Sequence, residues 1–224
     1  MQVRIINIHG IGEPRRTLEQ GEDAYWISEA AWEQLLDMTV SGDFLAPERY
    51  VFTFDDGNLS DFDIGAPALE ARGLKASFFP LAGRTDTEGS LSGENMRALV
   101  AAGHKIGTHG HDHVDWRKLD DESAAKELET ARATLEAVAG VDIDMAAIPF
   151  GAYDRATLAR LKAAGYRIAY TSDGGGAEDG AWLQPRTSVR KEMGEADFAW
   201  LLSGEEKPAR KLRRFAAMAK KRVL

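Results

Sequence analysis

Three of the chain's five histidines fall within five positions of THGHDHVDW, residues 108–116: His109, His111 and His113. Surface loops do carry histidines, but such clustering in a chain poor in them points to metal binding, for which neutral imidazole is the commonest ligand. With no cysteine available, a transition-metal site here must be built from His, Asp and Glu. Two imidazoles and one carboxylate would leave a coordination position open for water. The stretch VFTFDDG, residues 51–57, offers that carboxylate twice, because its apolar run ends on the adjacent pair Asp55 and Asp56. Asp-Asp-Gly after a strand is also ordinary turn punctuation. If one aspartate binds a cation, however, its charge is neutralised and the other is free to stay ionised as a base. Spacing leaves the imidazole pair open: His109 and His111 share a face of an extended chain, whereas His109 and His113 meet across one turn.

Apolar runs of four to seven residues alternate with segments of helical period, and no Gly/Ser linker divides them. VRIINI, YVFTF, KASFF, HKIGT, MAAI and RIAYTS read as strands, and LQPRTSV as a seventh that Pro185 makes irregular. Between them the predicted helices run over 27–36 with Ser28 as cap, from Pro67 to Gly73, from Ser92 to about 102, over 121–139 and from Asp154 to Gly165. This alternation predicts a parallel sheet, closed into a barrel. Unusual polar residues collect just after strands: His9, Asp55 and Asp56, His109, the Pro149-Phe150 pair and Asp173. Parallel α/β folds carry their active sites at that end.

Length and composition set the outer bounds. A chain of 224 residues, 44% apolar and 29% charged, predicts one globular domain with a sizeable core. A formal charge of −8 argues against a nucleic-acid partner. The opening MQVRIINIHG is too short and too polar for a secretory signal, which predicts a cytoplasmic protein. The barrel is expected over residues 1–204. Residues 205–224 turn strongly basic, and Leu212, Phe215, Ala216, Ala219 and Val223 recur there at helical spacing. That amphipathic helix is expected to dock on the barrel in preference to a membrane surface.

TFDDG, then HGHDH, then IPFGAYD resemble in order and spacing the motifs of the polysaccharide deacetylase family, carbohydrate esterases that remove N-acetyl groups from chitin, peptidoglycan and related amino-sugar polymers. The resemblance runs from IHGIG near the start to PFGAYDRATLARLKAAGYRIAYT. It implies a distorted (β/α) barrel of about seven parallel strands that holds one divalent metal, with zinc expected first and cobalt, nickel or manganese also suited to such donors. By the same resemblance Asp55 is the catalytic base, Asp56 the carboxylate ligand, and His109 and His113 the imidazole ligands. The backbone N–H of Phe150 would face the developing oxyanion, and an N-acetylated sugar or glycan would yield acetate and a free amine.

Two departures from the family pattern matter. The arginine usual two positions before Pro149 is replaced by Ala147, so Arg186 in QPRTSV becomes the candidate to orient Asp55. No histidine follows His113, where the family usually supplies its general acid from a late strand. In a closed barrel the first strand lies beside the last, so His9 is the candidate in its place. Trp116, Trp182 and Phe150 could stack on a sugar, although such aromatics usually pack. Hydrolysis of another non-peptide C–N bond, or sugar binding with weak chemistry, are the alternative functions.

Overall fold

The first strand, β1 (Gln2–Ile8), is buried at every position but its first, as a strand covered on both faces must be. Beside it run β2 (Tyr50–Asp56), β3 (Ala76–Pro80) and β4 (Lys105–Ile106), all parallel. A second parallel group joins β5 (Met145–Ala147), β6 (Ile168–Thr171) and the first half of β7, Leu183–Pro185. In this computed structural model, which describes residues 1–206 and 208–223, two narrow seams join the groups. At one, Thr108 bridges to Ala146, with Thr108 N–H donating to Met145 O at 3.0 Å and Ala147 N–H to Thr108 O at 2.9 Å. At the other, β7 changes partner at Arg186: Leu183–Pro185 pairs with β6, and its continuation Thr187–Ser188 pairs with β1. The result is the expected distorted barrel of seven parallel strands. The irregularity expected at Pro185 is this change of partner.

Strand alternation sorts residues between two faces. Ile6, Ile8, Phe52, Phe54 and Phe78 turn outward into the larger core under the helices, whereas Val3, Ile5, Phe79 and Tyr170 belong to the inner cluster. Trp32 packs edge-on against Phe52 and Phe54 at 5.7 and 5.6 Å, and Phe54 stacks on Phe78 at 4.7 Å. Burying each such ring is worth roughly 1.5–3 kcal/mol. The same period puts Asn7, Thr53 and Asp55 on the inner face.

Helix α1 (Glu29–Val40) starts where Ser28 caps Ala31 N–H, α2 (Ala66–Glu70) carries Pro67 in its first turn, and α3 (Gly93–Ala101) opens on a Ser92–Asn95 capping box. The long helix α4 over 121–139 is continuous but contains a π-helical stretch, Ala125–Thr130. Helix α5 (Arg155–Ala163) starts at the Asp154 cap. A helix that the sequence reading lacked, α6 (Glu195–Ser203), buries Phe198, Leu201 and Leu202 in the larger core.

The last helix, α7 (Pro208–Val223), docks on the barrel, but with an unexpected face. Met218 is buried, Arg214 pairs with Glu206, and Lys221 reaches Asp173 at 2.7 Å. Leu212, Phe215 and Val223, from the predicted apolar stripe, are exposed. Lys207 and Leu224, in the predicted basic segment, lie outside the described residues. Among the described residues no helix is long and apolar enough to cross a membrane.

Candidate metal centre and active site

Asp55 ends the inner face of β2 inside a buried polar network. Arg186 grips it with two bonds, Nη1 to Oδ1 at 2.6 Å and Nη2 to Oδ2 at 2.7 Å, while Asn7 Nδ2 donates to Oδ2 at 2.9 Å. Asn7 Oδ1 in turn accepts from Arg186 Nη1 at 2.9 Å and from Thr53 Oγ1 at 2.7 Å. The guanidinium lies 5.6 Å from the rings of both Phe79 and Tyr170. Burial alone would raise the carboxyl's pKa, but Arg186 outweighs it and holds Asp55 well below the usual carboxylate range. Asp55 is therefore ionised at neutral pH.

Asp56 follows immediately, and regular strand geometry would send its side chain to the opposite face. Its φ of +73° breaks that rule. Both carboxylates consequently line one cleft of about 240 Å³, together with His9, His109, His113 and Phe150. Gly57 at φ +71° completes the reversal, and a Cβ there would stand 2.7 Å from Pro80 Cβ. Among the described residues only four non-glycine positions have positive φ, and three of them are Asp56, His113 and Phe150. Backbone strain of this kind collects where geometry serves a site.

The two imidazoles are oriented from behind. His109 Nδ1 faces Ala147 O at 2.9 Å and His113 Nδ1 faces a Glu19 carboxylate oxygen at 2.9 Å. Each Nδ1 faces an acceptor, so in the neutral ring it is Nε2 that carries the lone pair outward. Both Nε2 atoms stand 3.6 Å from Asp56 Oδ1, and all three atoms lie within 4.8 Å of one another. Asp56 Oδ1 is buried and has no hydrogen-bond partner, a costly state for a carboxylate oxygen. Donors bound at about 2 Å to one tetrahedral ion stand roughly 3.3 Å apart, so the set fits a divalent cation. Burial pushes the His109 imidazolium down to about 4, against the pull of Asp55 and Asp56, which keeps the ring in the neutral form a ligand needs.

Glu127, on the π-helical stretch of α4, holds the histidine loop from beneath. Its carboxylate accepts from His111 N–H at 2.8 Å and Asp112 N–H at 2.9 Å. Only glycine fits at position 110, where φ is +90° and a Cβ would lie 2.3 Å from Glu127 Oε2. The His111 ring turns to Asp112 Oδ1 at 2.5 Å instead of joining the cluster. The structure thus brings His109 and His113, and not His111, to Asp56.

His9 enters the cleft from the end of β1, its Nε2 4.0 Å from Asp55 Oδ2 and its ring 4.8 Å from Tyr25. Its Nδ1 is buried without a partner. Phe150 stands 61% exposed at the mouth, 4.4 Å from the His113 ring. Trp116 and Trp182 pack elsewhere, the first buried and the second donating to Tyr166 O at 2.9 Å. Asp173 accepts from Tyr153, Thr171 and Lys221. A larger cleft of about 680 Å³, lined by residues such as Trp26, Glu29 and Lys191, gathers no imidazoles. The sequence reading missed Asn7, Glu19 and Glu127. Only Asn7 left a trace there, as a polar residue inside an apolar strand.

The polysaccharide deacetylase family profile matches residues 45–169. YxkH of Bacillus subtilis is 24% identical over 180 residues, which cover 77% of this chain and 64% of that protein, so the chain spans under two thirds of that relative. Among solved structures, the Streptococcus pyogenes deacetylase PplD in complex with acetate superposes with a TM-score of 0.74 at 19% identity, covering 90% of this chain and 98% of that one. BC0361, a polysaccharide deacetylase from Bacillus cereus, gives 0.76 at 21% identity, covering 90% and 69%. At such identities the superpositions speak for the fold, while the profile covers more than half of the chain and takes in the paired aspartates and both converging histidines: the chain belongs to the polysaccharide deacetylase family.

Proposed function

We propose that this protein is a metal-dependent hydrolase that removes N-acetyl groups from an amino sugar or glycan. The observation that carries this reading is an ionised Asp55, locked by Arg186, beside the Asp56, His109 and His113 donor set. A divalent ion held by those three residues, zinc being the first expectation for such donors, would supply an acidified water and polarise the acetamide carbonyl. Asp55 takes the proton of the attacking water, and Arg186 with Asn7 keeps its oxygens aimed into the cleft. As the carbonyl oxygen gains charge, the backbone N–H of Phe150 donates to it. His9, whose Nε2 stands 4.0 Å from Asp55 Oδ2 in the same cleft, protonates the departing amine nitrogen, and acetate and the free amine leave. His9 thus replaces the late-strand histidine that this chain lacks, because β1 neighbours β7 in the closed barrel.

The test is acetate release from N-acetylglucosamine oligomers and related N-acetylated sugars, with chelator and with added zinc. Release is expected only with metal. His9→Ala should lower turnover roughly 100-fold or more with metal content unchanged. Normal turnover in that variant would remove His9 from the reaction. A fully metal-loaded wild type that binds these sugars and frees no acetate would leave a binding protein.

A further inference from the structure

We infer that the C-terminal helix α7 docks this protein on an anionic lipid surface. A terminal helix that merely completes a core turns its apolar stripe inward, and this one does the opposite. Its inward contacts include Met218, the Arg214–Glu206 pair, and Lys221, which donates to Asp173 and to Gly151 O at 3.1 Å. Leu212 is 72%, Phe215 50% and Val223 76% exposed, and Ala216 and Ala219 are exposed with them. At 3.6 residues per turn these five share one side, with Arg213 and Lys220 along one edge and Lys211 along the other.

Charge says what covers the stripe. Residues 207–224 hold eight Lys and Arg and no Asp or Glu. With the whole chain at −8, that segment at +8 leaves −16 on the remainder. An apolar strip between basic edges, low in mean hydropathy and opposite a docked face, matches a helix lying in the plane of an anionic membrane. Seven large apolar residues are exposed in the described chain; three are on this helix, Phe150 lines the cleft, and Val114 directly follows the cleft residue His113 in the chain. Separate apolar points suit a fluid surface better than one rigid groove. Lys221 ties the helix to Gly151, next to Phe150, so the lipid-facing element is joined to the rim of the site. This binding does not depend on the proposed reaction, and each can fail without the other.

The experiment is co-sedimentation of the full chain with phosphatidylcholine vesicles, with and without phosphatidylglycerol. Binding is expected only where phosphatidylglycerol is present, and it should weaken as salt rises. Leu212→Glu with Phe215→Glu, and separately Arg213→Glu with Lys220→Glu, should each reduce binding about tenfold or more. Unchanged melting by circular dichroism and unchanged zinc uptake would certify that both variants fold. No binding to anionic vesicles at low salt overturns the inference, as does equal binding by both folded variants. It is also overturned if light scattering reveals a dimer that the first variant dissolves while vesicles capture neither form, because a second copy would then cover the stripe.

Discussion

Asp55 and Asp56 are neighbours in sequence with separate electrostatic lives. Asp55 belongs to Arg186 and Asn7, and Asp56 to the two imidazoles. Removing Arg186 would strand a buried carboxylate, so Arg186→Gln should destabilise the fold by about 3–5 kcal/mol at neutral pH. The pH dependence follows from linkage. With its folded pKa depressed, Asp55 contributes stability fully above the ordinary carboxylate value near ~4, and that contribution is lost as pH falls through the folded value. In the variant, burial without the guanidinium raises the same pKa, so the charged form costs stability above about pH 4. Urea unfolding of both proteins across about pH 3 to 7 should therefore show a gap that shrinks on acidification. A gap independent of pH would mean that the Asp55–Arg186 pair is not its source.

The decisive element is the run from β4 into α4, where a two-residue strand and a π-helical stretch together present the histidine loop. A π-bulge shifts the helix face by one residue, and here it brings the Glu127 carboxylate to the amides of His111 and Asp112. Such partners hold ligands in place without touching the metal. Glu127→Ala should lower zinc affinity roughly 10–100-fold, and the two orphaned amides should cost about 1–3 kcal/mol of stability. Isothermal titration with zinc and a urea series separate the two effects. Unaltered zinc affinity would show that the loop is held by other contacts.

At the scale of the molecule, the barrel closes through two thin seams, and the donor cluster lies on its upper rim. Asp56 comes from the end of β2, while His109 and His113 come from the loop after β4, backed by Glu19 from the segment after β1. An ion held between them would cross-link the rim and favour the folded state by mass action. At a free zinc concentration 100-fold above its dissociation constant, that amounts to about 2.7 kcal/mol, or roughly 5–10 °C in melting temperature for a chain of this size. Chelated protein should melt lower by that amount, and His113→Ala should erase the difference. Equal melting of the chelated and zinc-loaded wild type would exclude ion binding at this cluster.

The amino-acid sequence by itself determined the seven strands, most helices and the nature of the donors. Those depend on local rules: period two in VRIINI and YVFTF, caps at Ser28, Ser92 and Asp154, and imidazoles in place of absent thiols. The π-helical stretch escaped that reading because its apolar pattern is that of an ordinary helix, and α6 escaped because its apolar residues follow no clean stripe. Tertiary structure alone decided which distant groups meet. Arg186 reaches Asp55 across 131 positions and Glu19 reaches His113 across 94, contacts set by barrel closure and loop path that no local window encodes. It also decided which side of the basic helix faces outward, because Arg214 meets Glu206 and Lys221 meets Asp173, the latter 48 positions away, and a local apolar pattern does not reveal where such partners lie.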